Sequence, residues 1–154
     1  MMRQCKIAFV LAAFVLLFGG CGKKQEQAVL QDGMFTAQMM EYSHGWREFL
    51  TITVKNGVIV TAEYNAENSA GFIKSWDNAY MKNMKSVTGT YPNEYTRYYA
   101  SQLKGMSELP EIDTLSGATS SGSNFKRLSE AVVEKAVQGD TSIAWLETLE
   151  QEEE

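Results

Sequence analysis

Apolar and polar residues alternate along three short segments in the first half of the chain, a period typical of β-strands with one buried face. The apolar positions are Phe35, Ala37 and Met39 in a first strand at about Met34–Tyr42, Leu50, Ile52 and Val54 in a second strand, and Val58, Val60, Ala62 and Tyr64 along one face of a third. Turn signals separate these strands at Ser43–Gly45 and at Asn56-Gly57, and the second signal is typical of a tight hairpin. The pattern predicts an antiparallel β-meander.

The period changes to that of α-helices after the third strand. Helices are predicted at Trp76–Ser86, at Tyr91–Lys104, and at Ser123–Gln138 with Gly139 as its end signal. Residues 140–154 form an acidic C-terminal tail, with a weak helix predicted around Ile143, Trp145 and Leu146. The expected fold class is α+β, with the meander packed against about three helices in one domain at residues 32–139.

A separate apolar run, Ile7–Phe18, lies near the N-terminus between the basic residues Arg3 and Lys6 and the sequence Gly19-Gly20-Cys21. The run is too short for a membrane-spanning helix, which needs about 20 residues. Its length, its basic flank and the small residues that follow it are typical of a secretory signal peptide. A signal peptide is therefore predicted at residues 1–20.

The end of this signal resembles the lipobox of bacterial lipoproteins, except that Phe18 stands where the lipobox usually has leucine. The resemblance implies that Cys21 is acylated and becomes the new N-terminus after cleavage. Residues 21–31 would then be a polar tether that holds the domain at the extracytoplasmic face of the cell membrane. An uncleaved N-terminal anchor helix is the alternative.

Composition excludes several classes of function. The 154 residues carry a formal charge of −5, with 14 basic against 19 acidic residues, so an electrostatic interaction with nucleic acid is not expected. The single histidine, His44, rules out a multi-histidine metal centre. The two cysteines, Cys5 and Cys21, both lie near the N-terminus, so a disulfide framework or a cysteine-rich metal site is not expected either.

The segment Asp113–Gly122 carries the candidate chemistry. It is rich in Ser, Thr and Gly and leads directly into the third predicted helix, an arrangement suited to a phosphate group because free N–H groups converge at a helix start. Gly117 and Gly122 have the spacing of a P-loop, but Ser123 replaces its lysine, which disfavours nucleotide hydrolysis. The chain contains neither the G-x-G-x-x-G pattern of dinucleotide binding nor the G-x-S-x-G pattern of serine hydrolases.

Within this segment, Ser116-Gly117-Ala118-Thr119 resembles the S-G-A-T flavinylation motif of FMN-binding domains, as found in sodium-pumping quinone reductases, related electron-transport complexes and bacterial lipoproteins. In that family a flavin transferase joins FMN through its phosphate to the threonine, which is Thr119 here. The flanking motif and binding positions are Asp113, Ser116, Gly117, Ala118, Ser120 and Ser121. The resemblance extends over roughly 32–139 and includes Gly45-Trp46 and the hairpin Lys55–Gly57. An ordinary serine-rich loop with a helix N-cap is the alternative.

The flavin ring would need a largely apolar wall with a few polar contacts. Candidates assigned only by their position in the chain are Lys74, Trp76, Tyr80 and Met84. For each of these residues, packing in the core is the competing interpretation. The resemblance thus implies a membrane-tethered flavoprotein that carries electrons, with FMN as cofactor and a flavin transferase and unidentified redox proteins as partners. The alternative is a non-catalytic lipoprotein that binds FMN loosely, or binds another ligand or partner.

Overall fold

The structure, a computed structural model, describes residues 29–147. The predicted signal peptide, Cys21 and the last part of the acidic tail lie outside the described residues. The strands are β1 (Gly33–Met39), β2 (Arg47–Lys55), β3 (Val58–Glu67) and β4 (Ala144–Leu146). The helices are a short 3-10 helix at Lys74–Trp76, then α1 (Asn78–Thr88), α2 (Pro92–Ser101) and α3 (Thr119–Gln138).

The predicted α+β class and the predicted meander are confirmed. Strands β1, β2 and β3 are antiparallel neighbours in an open four-stranded sheet of order β3-β2-β1-β4, in which β4 is parallel to β1. Asn56 and Gly57 both have positive φ angles, 54° and 71°, as a tight turn matched to the twist of the hairpin requires. The local turn chemistry of the sequence therefore sets the register of β2 against β3.

One face of β3 differs from the prediction, because a bulge interrupts the alternation. Val54 is paired with Ile59 and Thr53 with Thr61, which leaves Val60 as the extra residue of the bulge. Ile59 is therefore fully buried, whereas Val60 is 38% exposed. The prediction that Val60 faces the core is wrong for this reason.

The core lies between the sheet and the helices. Helix α3 packs across β1 and β2 and buries the predicted stripe of Phe125, Leu128, Val132 and Ala136. Phe125 stacks on Tyr99 of α2, with ring centres 5.4 Å apart, and tilts against Tyr64 of β3 at 4.9 Å. These aromatic contacts join both helices to the sheet beneath the start of α3.

The predicted weak helix after Gly139 is wrong, because residues Ala144–Leu146 form strand β4 beside β1. The N–H of Met40 donates to the carbonyl of Leu146 at 2.8 Å, which extends this pairing. The open edge of β1 supplies backbone hydrogen-bond partners for this segment, whereas a short isolated helix is only marginally stable. Tertiary pairing has therefore overridden the local preference.

The chain joins the domain before the end of the predicted tether. Leu30 is 2% exposed in the core, and the N–H of Gln31 donates to the carbonyl of Ala136 at 2.9 Å. Leu30 and Gln31, at the end of the predicted tether, therefore contact the folded domain. None of the helices within residues 29–147 is long and apolar enough to cross a membrane.

Candidate functional site

Thr119 is the first residue of α3, so this helix begins four residues earlier than the predicted start at Ser123. Ala118 is the N-cap residue and provides no side-chain cap for the first turn. Thr119 and Ser120 are exposed, whereas Ser121 is partly buried. The predicted loop thus divides into an irregular part, Asp113–Ala118, and a first helical turn that carries the three consecutive hydroxyl residues.

Gly117 lets the motif loop pack against the connection between α1 and α2. Its φ angle is +81°, and a Cβ atom added there would lie 2.4 Å from the carbonyl oxygen of Thr88. A side chain at this position would therefore be strained in backbone conformation and would also collide with another backbone segment. Glycine is needed here for two independent reasons.

Two side chains of the α2 region hold the rest of the loop. The hydroxyl of the buried Tyr99 donates to the carbonyl of Ala118 at 2.9 Å and accepts from the N–H of Leu115 at 3.0 Å. The amide of Gln102 accepts from the N–H of Asp113 at 2.8 Å and donates to its carbonyl at 3.0 Å. The loop therefore has a fixed backbone although most of its side chains are exposed.

Ser121 connects the first turn of α3 to the sheet. Its hydroxyl donates to Oε1 of Glu48 at 2.8 Å, and its carbonyl accepts from the hydroxyl of Tyr64 at 2.8 Å. Asn124, one turn further along the helix, donates to Oε2 of Glu48 at 2.7 Å. Both oxygens of the Glu48 carboxylate thus bind the start of α3.

The electrostatics of this cluster are governed by burial. Burial raises the pKa of Glu48, because removal from water disfavours the carboxylate, and the hydrogen bonds from Ser121 and Asn124 offset only part of this effect. Burial would lower the pKa of Lys74, but the influence of Tyr95, Tyr80 and Glu48 outweighs it, so the pKa is raised. The positive end of α3 adds to the local field around the carboxylate.

Lys74 and Tyr80 are brought together beside this cluster. The Lys74 ammonium lies 4.7 Å from the ring centre of Tyr80 and 5.9 Å from that of Trp46. The rings of Trp46 and Tyr80 meet edge to face at 5.9 Å. Of the four proposed ring contacts, these two lie in one polar and aromatic cluster, while Met84 is partly buried against the core.

Trp76, the fourth proposed contact, lines a different part of the surface. It is 65% exposed and meets Phe72 edge to face at 6.4 Å. A groove of about 650 Å³ lies between β3 and α2, which is a volume typical of small-ligand sites. Its lining includes Phe49, Tyr64, Ile73, Trp76, Thr96, Arg97 and Lys104.

Glu48 is a residue of the site that was not predicted from the sequence. It occupies a position on the core-facing side of β2, in line with Leu50, Ile52 and Val54, where a charged residue requires partners. That break in the alternation is the sequence signal that points to it. Its partners cannot be read from the sequence, since Ser121 is 73 residues away.

Within residues 29–147, no cluster of three or more His, Cys, Asp or Glu residues could hold a metal ion. Asp113 and Ser116 are exposed, and Ala118 is buried beneath the start of α3. The arrangement therefore offers an exposed threonine, Thr119, in the first turn of α3, with the partly buried carboxylate of Glu48 beneath that turn and the ammonium of Lys74 beside it.

No protein-family model matches the chain. A protein from Treponema pallidum named "15 kDa lipoprotein" is 29% identical over 143 residues, which are 91% of this chain and 95% of that protein. The crystal structure of the CPE2226 protein from Clostridium perfringens is 33% identical, with a TM-score of 0.73, and the alignment covers 78% of this chain and 99% of that chain. The chain therefore belongs to the same protein family as CPE2226 of Clostridium perfringens.

Proposed function

We propose that this protein is a membrane-anchored flavoprotein that carries FMN on Thr119 through a phosphoester bond and transfers electrons outside the cytoplasm. The resemblance of Ser116–Thr119 to the S-G-A-T motif motivates the cofactor and its point of attachment. The similarity to a Treponema pallidum lipoprotein supports the lipoprotein assignment, and attachment through acyl groups on Cys21 is the anchor we propose.

One observation carries this proposal: the hydroxyl of Thr119 is exposed on the first residue of a long helix, while Ser121 is fixed to the sheet. An α-helix turns by about 100° per residue, so two positions in the first turn that are two residues apart point to nearly opposite sides. The inward contact of Ser121 therefore directs Thr119 outward. An enzyme that modifies Thr119 would need this access.

The residues around Thr119 fit a phosphodiester. The first N–H groups of α3 and the positive end of its dipole favour a negative charge at this position. Thr119 and the following Ser120 are both exposed, so the Thr119 side chain is accessible. The Thr119 side chain is β-branched, so the attached group would leave it in few directions.

FMN would supply the electron-transfer chemistry, and the protein would supply its attachment and surroundings. Lys74 and Tyr80 are the residues proposed to contact FMN. Both lie in the cluster that includes Glu48, and Glu48 in turn binds the first turn of α3. The ammonium of Lys74 can balance negative charge, and the ring of Tyr80 offers an apolar face with a polar edge. The protein itself would need no catalytic acid or base.

The attachment site can be tested by co-expression of the mature protein with a flavin transferase, followed by tryptic digestion and mass spectrometry. A single tryptic peptide, Gly105–Lys126, contains the whole motif. We expect this peptide to gain the mass of FMN less one water, with the modification localised to Thr119 by fragmentation. Thr119→Ala should abolish the gain.

Ser123→Ala is the matched control, because Ser123 is an exposed hydroxyl of the same tryptic peptide and lies outside the motif and its flanking positions. It should keep the modification. An unmodified wild-type peptide, or a modification that persists in Thr119→Ala, would contradict the proposal.

The groove between β3 and α2 favours a second candidate function, the loose binding of a planar anionic ligand such as free FMN. Trp76 offers an exposed aromatic wall. Arg97 and Lys104, which form no salt bridge among the described residues, line the same groove together with Glu63. This candidate function would be supported if protein made without a transferase contains flavin that can be removed by dialysis, and if the Arg97→Gln variant contains none. Covalent flavin in Gly105–Lys126 with an unaffected Arg97→Gln variant would exclude it.

A further inference from the structure

Glu48 is a carboxylate placed on the core-facing side of the sheet, where each of its two oxygens accepts a hydrogen bond from a side chain of α3. Ser121 binds one oxygen and Asn124 the other, at 2.8 Å and 2.7 Å. Charge-assisted hydrogen bonds of this length are among the stronger polar contacts in proteins. The start of α3 is therefore attached to β2 through one side chain.

The same turn is held at a second point by Tyr64, whose hydroxyl donates to the carbonyl of Ser121. A third constraint is steric: a Cβ atom added to Gly122 would lie 2.6 Å from the hydroxyl of Tyr99. Helix α3 thus begins in close contact with both β3 and α2. The Ser121 side chain, two residues after Thr119, lies on the side of the helix opposite to Thr119.

We propose that Glu48 is a positioning residue that presents Thr119 for flavin attachment by fixing Ser121 and Asn124 in the first turns of α3. This inference rests on the proposed function and identifies a residue outside the S-G-A-T motif on which the modification depends. The positioning role requires the hydrogen bonds of the Glu48 side chain and does not require its negative charge. A neutral side chain of the same shape at residue 48 should therefore perform the same role.

The modification places a demand on the position of Thr119. Its hydroxyl oxygen would form a bond to phosphorus while a diphosphate bond of a flavin dinucleotide donor breaks. A nucleoside monophosphate would leave, and the hydroxyl proton would pass to a base of the transferase. An in-line displacement of this kind is sensitive to misplacement, and an error of about 1 Å can cost about 100-fold in rate.

The test compares purified apo-protein variants as substrates of a flavin transferase with a flavin dinucleotide as donor. Glu48→Ala should lower kcat by about 10- to 100-fold with a smaller effect on KM, because the turn is misplaced rather than absent. Glu48→Gln should recover most of the rate. Its amide can accept from Asn124 and donate to the hydroxyl of Ser121, which serves as donor or acceptor.

Val132→Ala is the control for simple loss of stability, because Val132 is a fully buried residue of α3 more than two turns after Asn124. When the variants are compared at the same fraction of unfolded protein, Val132→Ala should keep the wild-type rate of flavin attachment. Equal rates for Glu48→Ala and Val132→Ala would overturn the positioning role. A Glu48→Gln variant as slow as Glu48→Ala would show that the charge is required and would overturn it as well.

Hydrogen exchange on the same apo-proteins separates failure of this inference from failure of the proposed function. In Glu48→Ala, amide protection should fall at residues 122–125, the first amides bonded within α3, and stay unchanged at residues 132–138. Unchanged protection at 122–125, or an equal loss along α3, would overturn the positioning role even if no flavin is attached. A wild-type protein that is never modified would contradict only the proposed function.

Discussion

Substitution of Gly117 by alanine tests whether the motif loop needs glycine for its fold as well as for access to Thr119. The added Cβ would lie 2.4 Å from the carbonyl oxygen of Thr88 and 3.2 Å from Cγ2 of Thr90. A backbone oxygen cannot rotate away as a flexible side chain can. Relief would therefore require the motif loop to separate from the connection between α1 and α2.

The expected cost has two parts. The left-handed conformation at φ +81° disfavours any residue with a Cβ atom by about 1–2 kcal/mol. The collision adds about 1–3 kcal/mol, the usual cost of an extra methyl group in a well-packed region. We therefore expect Gly117→Ala to lower the free energy of unfolding by about 2–5 kcal/mol, measured by urea denaturation of the apo-protein.

Gly89→Ala is a matched control, because Gly89 has nearly the same φ angle, +80°, with nothing within 4 Å of an added Cβ. Gly89→Ala should lower the free energy of unfolding only by the cost of the left-handed backbone conformation, about 1–2 kcal/mol. The difference between the two variants then measures the contact with Thr88. Equal losses in the two variants would refute the argument that the loop packs closely there.

Two further variants test the contacts around the same turn. Tyr99→Phe should lower the free energy of unfolding by about 1–3 kcal/mol, since it leaves the carbonyl of Ala118 and the N–H of Leu115 without their partner. Tyr98→Phe, at a residue 37% exposed, is its control in urea denaturation, and equal losses would contradict the role of Tyr99. The pKa of Glu48 in the folded protein is raised above its usual 4.5. Between pH 4.5 and this raised pKa, the folded protein therefore binds more protons than the unfolded chain. The free energy of unfolding consequently falls as pH rises through this window. Glu48→Gln lacks this loss, so its stability relative to wild type should increase from pH 4 upward in denaturant titrations, and a constant difference would contradict the buried carboxylate.

Much of the fold was predictable because local signals agree with the tertiary structure. The alternation in β1 and β2, the Asn56-Gly57 turn and the stripe of α3 each need only residues close in sequence. The bulge at Val60 was not predictable, since it depends on the pairing with Thr53. Strand β4 was missed because its partner, β1, lies about one hundred residues earlier in the chain.

The candidate site was predictable only in part. The sequence predicts Ser116–Thr119 as the site but places the helix start four residues too late, because the N-cap residue is Ala118, which carries no N-cap signal. Lys74 and Tyr80 lie in one cluster, whereas Trp76 faces a separate groove, since successive residues of a 3-10 helix point in different directions. Glu48 came from the structure, because the contact spans distant parts of the chain.

The central claim, that Thr119 carries FMN, is tested most directly on the protein made in its own cell. The mature protein is isolated from membranes, denatured, and separated by gel electrophoresis in parallel with the Thr119→Ala variant. The account predicts flavin fluorescence that migrates with the wild-type chain and is absent from Thr119→Ala. A non-fluorescent wild-type band from cells that contain an active flavin transferase would contradict it.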